Sequence, residues 1–350
     1  MQPFPFDVPP DPLTSYLDES RDRVLDEIRE IIPRPNGAGS LLYELMLDYP
    51  LRGGKALRPA LCIATCRALG GSVEAVLRTA AVLELYHNAF LIHDDVEDGS
   101  EKRRSEGTLH RLHGVPIAVN VGDGMLALTM EPLLDNIELL GLGRALRILR
   151  LVARMARESA EGQMMELEWV RNAQWMPSDR DYVRMVYKKT TWYTFLAPVL
   201  AGAIAAGADA SVLRALARFA TPLGVAFQIE DDVLNLAGRE ERYGKEIFGD
   251  LWEGKHTLVL IHALRVASPS ARAEALSILA KPRSAKTEVE VQALRDLIDH
   301  SRAIDTARAA ARARAARAGR SFEELAGSLA PSSHREFLAA LVDFVVERDR

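Results

Sequence analysis

Residues 94–98 of the chain read DDVED and residues 231–235 read DDVLN, and each stretch lies inside a long apolar helical pattern. Side chains at positions i and i+4 of a helix project from the same face, one turn apart. Mg²⁺ takes few protein carboxylates and fills its remaining positions with water and substrate phosphates. Two such clusters facing each other across a cavity therefore predict magnesium sites for a diphosphate substrate.

The rest of the chain repeats the helical pattern, and no stretch alternates convincingly as a strand. The pattern of residues 72–98 runs without a breaker and ends on the first acidic cluster, and residues 99–115 follow as a polar loop. We predict an all-α fold, a single large helical bundle with a central active-site cavity between its helices. Residues 1–11 are predicted to form an irregular tail and residues 12–350 one helical domain.

Composition and charge exclude several classes of function. The 350 residues are 48% hydrophobic and 27% charged, and the net charge of -5 gives no reason to expect a nucleic-acid partner. The N-terminus lacks the basic and apolar regions of a signal peptide. The longest apolar run, residues 194–208, is shorter than the roughly 20 residues that span a bilayer. With Cys62 and Cys66 as buried thiols, we expect a cytoplasmic protein without a transmembrane segment.

Basic residues occur in three pairs suited to binding diphosphate. One pair opens the helix after the glycine turn at residues 53–54, where free backbone N–H groups and the helix dipole favour an anion. A second pair follows the first acidic cluster by five and six residues, and a third lies in the charged loop after the second cluster. Any one of them alone would be ordinary surface charge. The pairs are Lys55 with Arg58, Arg103 with Arg104, and Lys245 with Lys255.

Taken together, these motifs resemble the trans-isoprenyl diphosphate synthases, the family of farnesyl and geranylgeranyl diphosphate synthases. The DDVED stretch with Arg103-Arg104 is similar to the first aspartate-rich motif, and FQIEDD at residues 227–232 is similar to the second. Six motifs in the family's order are a far stronger signal than one aspartate-rich box. The others are GK at 54–55 with RP at 58–59, KT at 189–190, and GK at 244–245 and 254–255.

The resemblance implies an isoprenoid-synthase bundle and an Mg²⁺-dependent prenyltransferase, which transfers an alkyl group other than methyl. Such enzymes condense isopentenyl diphosphate with an allylic diphosphate (dimethylallyl, geranyl or farnesyl) and release diphosphate. The family further implies a homodimer and three Mg²⁺ ions per active site. The implied metal ligands are Asp94, Asp95, Asp98, Asp231 and Asp232.

Two sets of substrate contacts also follow from the resemblance. His87 precedes the first cluster by two helical turns, and without the resemblance it would be a packed histidine. The allylic diphosphate would contact Arg103, Lys189, Thr190, Gln228, Lys245 and Lys255. Isopentenyl diphosphate would contact Lys55, Arg58, His87 and Arg104. The residues implied to act directly in catalysis are Asp94, Asp98, Lys189, Asp231 and Lys245.

The chain departs from the family pattern near both acidic clusters. Asn235 stands where the second cluster often has a third aspartate, so cation binding there is expected to be weaker. Ser105 stands where a glycine usually follows the arginine pair. Neither change removes a predicted phosphate ligand.

Product length is predicted from the helix that ends at Asp98. One helical turn is about 5.4 Å, roughly one extended isoprene unit, so residues one or two turns before Asp94 can stop the growing chain. Small Ala89 opens one side, while Phe90 and then Tyr86 narrow the other, although both rings could be plain core. We predict the twenty-carbon geranylgeranyl diphosphate, with farnesyl diphosphate as runner-up.

Two other functions stay open on the same scaffold. A class I terpene cyclase also ionises a prenyl diphosphate, but such enzymes generally lack the second aspartate pair and a site for isopentenyl diphosphate. A regulatory subunit of a heteromeric synthase should have lost acidic or basic ligands, and this chain keeps nearly all of them.

Overall fold

Long helices dominate the computed structural model, which describes residues 12–34, 37, 39–237 and 248–347. The first helices are α1 (Pro12–Ile31), α2 (Ser40–Leu51), α3 (Leu57–Ala68), α4 (Glu74–Asp98), α5 (Leu109–His113), α6 (Val115–Leu128), α7 (Met130–Leu140), α8 (Leu142–Arg171) and α9 (Asp179–Val186). Next come a π-helical stretch (Tyr187–Leu196), α10 (Ala197–Ala205), α11 (Ala210–Ala237), α12 (Gly249–Glu253) and α13 (Leu258–Val266). The last are α14 (Pro269–Leu279), a 3₁₀ turn (Arg283–Ala285), α15 (Glu288–Ser301), α16 (Ala303–Ala326) and α17 (Ser333–Glu347).

Local sequence signals set several of these helix ends. Ser178 and Thr287 each form a capping box, with Asp181 and Glu290 respectively, at the starts of α9 and α15. Gly99, in the left-handed conformation with φ 65°, ends α4 directly after the first acidic cluster. The cluster therefore occupies the last turn of a long helix.

The core of the bundle is one continuous cluster of buried apolar side chains that runs from α1 to α17. Helix α3 packs so closely on α10 that no side chain fits at Gly202. A Cβ there would lie 2.2 Å from the carbonyl oxygen of Cys62. Cys62 and Cys66 are free and buried, as predicted, and burial raises the pKa of both thiols. The apolar run predicted as a core helix forms the buried α10.

The polar stretch after α4 was predicted to be a loop, and this prediction is wrong. It contains an antiparallel hairpin of β1 (Lys102–Arg103) and β2 (Glu106–Gly107), followed by α5. Its two turn residues, Arg104 and Ser105, have φ 54° and 67°. Two left-handed residues match the twist of a two-residue hairpin. Such short polar strands have no apolar alternation, so the sequence offered no strand signal.

Left-handed backbone at Ser105 gives a stability prediction. A side chain in this conformation costs about 1–2 kcal/mol relative to glycine, so Ser105→Gly should raise the free energy of unfolding by about 1 kcal/mol. Urea denaturation measures the change. Ser277→Gly, inside helix α14, is the matched control and should lower the free energy of unfolding. A destabilised Ser105→Gly protein would show that the turn is not strained.

By length and composition alone, two helical stretches would be able to cross a membrane. They are Val115–Leu140 and Ala210–Ala237, and 39% of the apolar window in each is buried within the fold. The first spans α6 and α7, which meet at Thr129. The absence of a transmembrane segment therefore stays a prediction.

Candidate active site

A polar cavity of about 120 Å³ opens where α4, the π-helical stretch and α11 meet the start of α13. Helix α4 contributes the first acidic cluster from one wall, and α11 contributes the second from the opposite wall. Many of the residues predicted from the sequence line this one space. They are Asp94, Arg103, Lys189, Thr190, Gln228, Asp231, Asp232 and Lys255.

Asp94 lies among positive charges in this cavity. The Nζ atom of Lys189 is 3.1 Å from Oδ1 of Asp94 and also pairs with Glu166. Burial acts to raise the pKa of Asp94, but the charges of Lys189, Lys255 and Arg103 outweigh it and hold that pKa well below its usual range. Asp94 is therefore an ionised carboxylate at neutral pH.

Asp98, one turn further along α4, pairs with Lys255 instead. The Nζ atom of Lys255 lies 2.9 Å from Oδ2 of Asp98, 3.0 Å from Glu253 and 3.8 Å from Asp250. Burial raises the pKa of Asp98 to about 7; Lys255 opposes the rise and the like charge of Asp94 adds to it. A divalent cation beside Asp94 and Asp98 would favour the ionised form of both carboxylates.

The second acidic cluster is held by hydrogen bonds from its own wall. Asp232 accepts hydrogen bonds from Tyr182 Oη at 2.7 Å and from Gln228 Nε2 at 2.8 Å. Gln228 in turn accepts one from the Thr190 hydroxyl at 2.8 Å. Burial raises the pKa of Asp232 to about 7, although the hydrogen bonds from Tyr182 and Gln228 act to lower it. Asp231, its neighbour, lines the cavity.

Asn235 connects the second cluster to α12. Its side-chain oxygen accepts the backbone N–H of Asp250 at 3.2 Å, and its carbonyl oxygen accepts that of Phe248 at 2.9 Å. Asp250 lines the polar cavity, where it adds a carboxylate near Lys255. The asparagine therefore helps to place an acidic residue whose role was not predicted.

The cavity fits a hard divalent cation by its chemistry. Its acidic lining offers carboxylate oxygens, and its single histidine, His256, is stacked on Trp175. Within the part of the chain that the structure describes, no three acidic, histidine or cysteine side chains converge into a complete metal site. Mg²⁺ commonly takes one or two carboxylates and completes its shell with water and phosphate, so an incomplete protein set suits it.

Asp95 has a different environment from Asp94 and Asp98. It is fully buried and accepts hydrogen bonds from Tyr49 Oη at 2.6 Å and from Arg103 Nε at 3.0 Å. Like Asp98, it is not among the residues that line the polar cavity, but its partner is Arg103 rather than Lys255. Its predicted role as a metal ligand rests on the family resemblance alone.

A second basic cluster surrounds Tyr193. Arg58 stacks on the Tyr193 ring, with Cζ 4.4 Å from the centroid, and the His87 ring lies 5.9 Å from it. The Arg104 guanidinium fits against Gly54, where a Cβ would lie 2.7 Å from Nη2. Burial lowers the pKa of Arg104, and the charges of Arg103 and Arg58 lower it further although Glu84 opposes them. Such crowded positive charge favours an anion.

Lys55, the fourth residue predicted to bind isopentenyl diphosphate, contacts α17. Its Nζ atom is 5.1 Å from the centroid of the Phe344 ring on α17. Lys245 lies outside the described residues, so its predicted contact with the allylic diphosphate stays a prediction.

The backbone that carries Lys189 and Thr190 is π-helical rather than α-helical. Glycines on both neighbouring helices allow this wide stretch to pack closely. A Cβ at Gly162 would lie 2.2 Å from the backbone nitrogen of Lys189, and one at Gly224 would lie 2.7 Å from Cγ2 of Thr191. π-Helical turns are rare and concentrate at functional sites.

An apolar cavity of about 160 Å³ adjoins the polar one. Asp94, Lys189 and Tyr193 line both cavities. The residues that line only the apolar one are Phe90 and Ala160 together with the polar residues His93, Glu97, Ser159 and Gln163. The Phe90 ring lies 5.6 Å from that of Tyr193 and 5.8 Å from that of Tyr86 behind it. Ala89 is fully buried and lines neither cavity. The structure thus places Phe90, rather than Ala89, beside the space.

Comparison with known proteins settles the family. The model of the polyprenyl synthetase family matches residues 40–297. The chain belongs to the polyprenyl synthetase family. It is a prenyltransferase of the isoprenyl diphosphate synthase type, and the resemblance and the all-α isoprenoid synthase fold predicted from the sequence are both confirmed.

Three relatives of the synthase illustrate the match. It is 32% identical to the short chain isoprenyl diphosphate synthase of Methanothermobacter thermautotrophicus, over 97% of this chain and 98% of that one. It is 32% identical to the geranylgeranyl pyrophosphate synthase of Geoglobus acetivorans, over 96% and 100%. The solved structure of the Corynebacterium glutamicum geranylgeranyl pyrophosphate synthase superposes with a TM-score of 0.85 at 25% identity, covering 97% and 99%. That structure is complexed with isoprenyl diphosphate and magnesium.

Several residues of the synthase site were missed in the sequence. Glu166 pairs with Lys189 but lies 23 residues before it, and Tyr182, which holds Asp232, lies seven residues before the Lys189-Thr190 motif. Tyr193 lies three residues after Thr190, so proximity to a motif was a usable signal. His256 is fully buried in the lining of the cavity and adjoins Lys255.

Stacking of His256 on Trp175 predicts a pH dependence of stability. The ring centroids are 4.8 Å apart, and burial lowers the pKa of His256 to about 4. Between pH 4 and 6.5 the unfolded chain binds the extra proton, so acidification through this range should cost about 2–3 kcal/mol of unfolding free energy.

His256→Phe keeps the stacking on Trp175 but cannot bind a proton, so its free energy of unfolding should fall less on acidification than that of the wild type. Urea denaturation at pH 7 and pH 4.5 measures both losses. His300→Phe, an exposed site on α15, is the matched control and should behave as wild type. An equal loss in wild type and His256→Phe would show that His256 is not the titrating group.

Proposed function

We propose that this synthase makes geranylgeranyl diphosphate by condensing isopentenyl diphosphate with an allylic diphosphate, which is dimethylallyl, geranyl or farnesyl diphosphate. The observation that carries the proposal is the junction of a charged cavity and an apolar cavity at Asp94 and Lys189. A diphosphate suits the first space and a hydrocarbon tail the second. The name of the Geoglobus relative supports the twenty-carbon product, and farnesyl diphosphate is the alternative.

Magnesium is the metal that we propose for the site, with three ions per active site when substrate is bound. Asp94, Asp98 and Asp231 would hold it, with Asp232 close by, and the magnesium in the Corynebacterium structure supports this choice. The bound metal neutralises negative charge on the leaving diphosphate as the allylic C–O bond ionises.

The chain's own cations complete the allylic site. Lys189 and Lys255, which pair with Asp94 and Asp98 here, each have further N–H donors for diphosphate oxygens. Arg103 and Gln228 lie in the same lining, and Lys245 is proposed from the resemblance. Such preorganised donors stabilise charge where it develops in the transition state.

The basic cluster around Tyr193 would hold isopentenyl diphosphate. Arg58, His87, Arg104 and Lys55 supply the positive charge, and Tyr193 lines both cavities between this cluster and Asp94. The double bond of isopentenyl diphosphate would attack the allylic cation, and the released diphosphate would take the proton. Buried apolar walls keep water from trapping the cation.

An exposed apolar face on α6, α7 and the start of α8 supports a homodimer. An apolar face of this extent is unusual on a monomer, and a second copy of the chain would bury it against an identical surface. We propose that this face is the dimer interface. Its exposed side chains at helical spacing are Val115 and Val119 on α6, Met130, Leu134 and Ile137 on α7, and Leu142 and Leu146 on α8.

Introducing charge into this face tests the homodimer. The double variant Leu134→Glu/Ile137→Glu places two carboxylates in the centre of the proposed interface, where each buried charge would be unpaired. It should run as a monomer in light scattering at micromolar concentration, whereas the wild type runs as a dimer. Val289→Glu, at a more exposed apolar site on α15, is the control and should stay dimeric. A monomeric wild type would refute the proposal.

The remaining proposals concern domain organisation and location. Residues 12–350 would form one catalytic domain, since one apolar cluster joins α1 to α17. The two free buried thiols suit a reducing compartment, and we place the enzyme in the cytoplasm.

Incubation with isopentenyl diphosphate, an allylic primer and Mg²⁺ tests the proposed function against its rivals. Elongation of the primer supports the synthase. A cyclised hydrocarbon would indicate a class I terpene cyclase, and no turnover would indicate a regulatory subunit.

A further inference from the structure

The hairpin that carries Arg103 and Arg104 needs support from outside itself. It has only two residues in each strand and two left-handed residues in its turn. An isolated two-stranded hairpin is at best marginally stable, and a left-handed side-chain-bearing residue adds strain. The orientation of both arginines therefore depends on what holds the hairpin.

Arg52, the residue that caps the C-terminus of α2, supplies that support. Its Nη1 atom donates to the carbonyl oxygen of Arg103 at 3.2 Å and to that of Gly107 at 2.8 Å, one on each strand. The Nε atom lies 2.6 Å from Oδ1 of Asp48, and Cζ lies 4.7 Å from the centroid of the Tyr49 ring. The Arg52 side chain is 3% exposed, so this contact is nearly shielded from solvent.

Tyr49 contacts the two arginines by different groups. Its hydroxyl donates to Oδ2 of Asp95 at 2.6 Å and accepts the backbone N–H of Leu109 at 3.2 Å. Asp95 accepts from Nε and Nη2 of Arg103. The backbone carbonyl of Tyr49 accepts from Nη1 of Arg104. The side chain thus acts on Arg103 through Asp95, while the main chain acts on Arg104.

Arg103 and Arg104 belong to different sites. Arg103 lines the polar cavity together with Asp94 and Lys189, whereas Arg104 lies against Gly54 in the second basic cluster. The Arg103 guanidinium has five N–H donors, so the contact with Asp95 fixes one edge without exhausting it.

We propose that Tyr49 and Arg52 are positioning residues for the two diphosphate sites, and that Asp95 orients Arg103 instead of binding metal. The inference rests on the proposed function, which supplies the two diphosphates. Within the first acidic cluster, Asp95 would hold the hairpin through Arg103, while Asp94 and Asp98 would bind the cation. The buried carboxylate of Asp95 is compensated by a guanidinium, so it has no need of a second cation.

Tyr49→Phe tests the side-chain half of this arrangement. The variant removes the hydroxyl and keeps the ring beneath Arg52 and the carbonyl that binds Arg104. We expect KM for the allylic diphosphate to rise about tenfold, the loss of one hydrogen bond to a charged group, with KM for isopentenyl diphosphate within about twofold of wild type. Arg52→Gln, which releases both strands, should raise both KM values.

Tyr16→Phe is the matched control for Tyr49→Phe. It removes a hydroxyl that is 2.8 Å from His334, at a place remote from both sites, and should change neither KM. A Tyr49→Phe enzyme whose two KM values rise equally, or one whose melting temperature alone falls, would show a merely structural role and overturn the proposal.

Asp95→Asn tests the other half against a metal ligand. The Mg²⁺ concentration for half-maximal activity should stay within about twofold of wild type while KM for the allylic diphosphate rises, whereas Asp98→Asn should raise the Mg²⁺ requirement about tenfold or more. An Asp95→Asn enzyme that needs as much extra Mg²⁺ as Asp98→Asn would refute the proposal. If the wild type fails to elongate any primer, the proposed function fails separately. Calorimetry with Mg²⁺ and inorganic diphosphate then decides the inference: binding weaker in Tyr49→Phe than in Tyr16→Phe supports it, and equal binding overturns it.

Discussion

Replacing Asp94 with alanine should lower kcat/KM by at least about a thousandfold, which corresponds to about 4 kcal/mol of transition-state stabilisation. Asp94 lies where the polar and apolar cavities meet, and its carboxylate is ionised among positive charges. The variant would lose the proposed metal ligand and the ion pair of Asp94 with Lys189, whose pairing with Glu166 would stay. Steady-state kinetics with both diphosphates at saturating Mg²⁺ measures the effect.

Asp26→Ala, which removes an exposed carboxylate on α1, is the matched control and should keep wild-type kinetics. Circular dichroism of both variants separates a lost site from a lost fold. Undiminished turnover in Asp94→Ala would rule out the assigned site, as would full turnover of the wild type in excess chelator.

Replacing Phe90 with alanine should lengthen the product. The Phe90 ring borders the apolar cavity one turn before Asp94 and is held by contacts with Tyr193 and Tyr86. Its removal opens space for about one further isoprene unit, so products of twenty-five carbons or more should become the main species. Chromatography of the extracted products against prenyl standards measures the shift.

Deeper and remote substitutions make this prediction specific. Tyr86→Ala should lengthen the product only when combined with Phe90→Ala, because Tyr86 lies behind Phe90. Phe322→Ala, which removes a buried ring on α16, should destabilise the fold without changing product length. An unchanged product length in Phe90→Ala would show that Phe90 does not limit the length of the product, and that Tyr86 behind it does not either.

The structure revises one part of the chain-length prediction. Small Ala89 was expected to open one side of the floor, but it is fully buried and does not line the apolar cavity. Ala89→Phe is therefore expected to overpack the core around α4 and to lower stability, by about 1–3 kcal/mol. The main effect of Ala89→Phe is therefore expected on the stability of the fold, and an effect on product length is secondary.

Helix positions followed closely from the sequence because long apolar patterns and glycine or proline breaks are local signals. Residues 72–98 were predicted as a helix, and the structure has Glu74–Asp98. The hairpin was missed because its order comes from Arg52 and Tyr49, about fifty residues earlier in the chain. Contacts of that kind leave no periodic trace.

The same distinction applies within the site. Residues inside motifs, such as Lys189 and Gln228, were predicted and do line the cavity. Glu166 was missed because nothing around it in the sequence indicates that α8 brings it to Lys189. The different placement of Asp95 was available from helix geometry, since adjacent residues of a helix do not share a face. Treating DDVED as one unit concealed that difference.

Sizing the product of the purified wild-type enzyme tests the central claim most directly. Isopentenyl diphosphate, labelled with ¹⁴C, would be incubated with Mg²⁺ and each of the three allylic primers, and the extracted products dephosphorylated and separated by chain length. We predict that a twenty-carbon prenyl alcohol accumulates from every primer and that excess chelator abolishes it. A cyclised hydrocarbon, or the absence of any elongated product, would contradict the assignment of this chain as a geranylgeranyl diphosphate synthase.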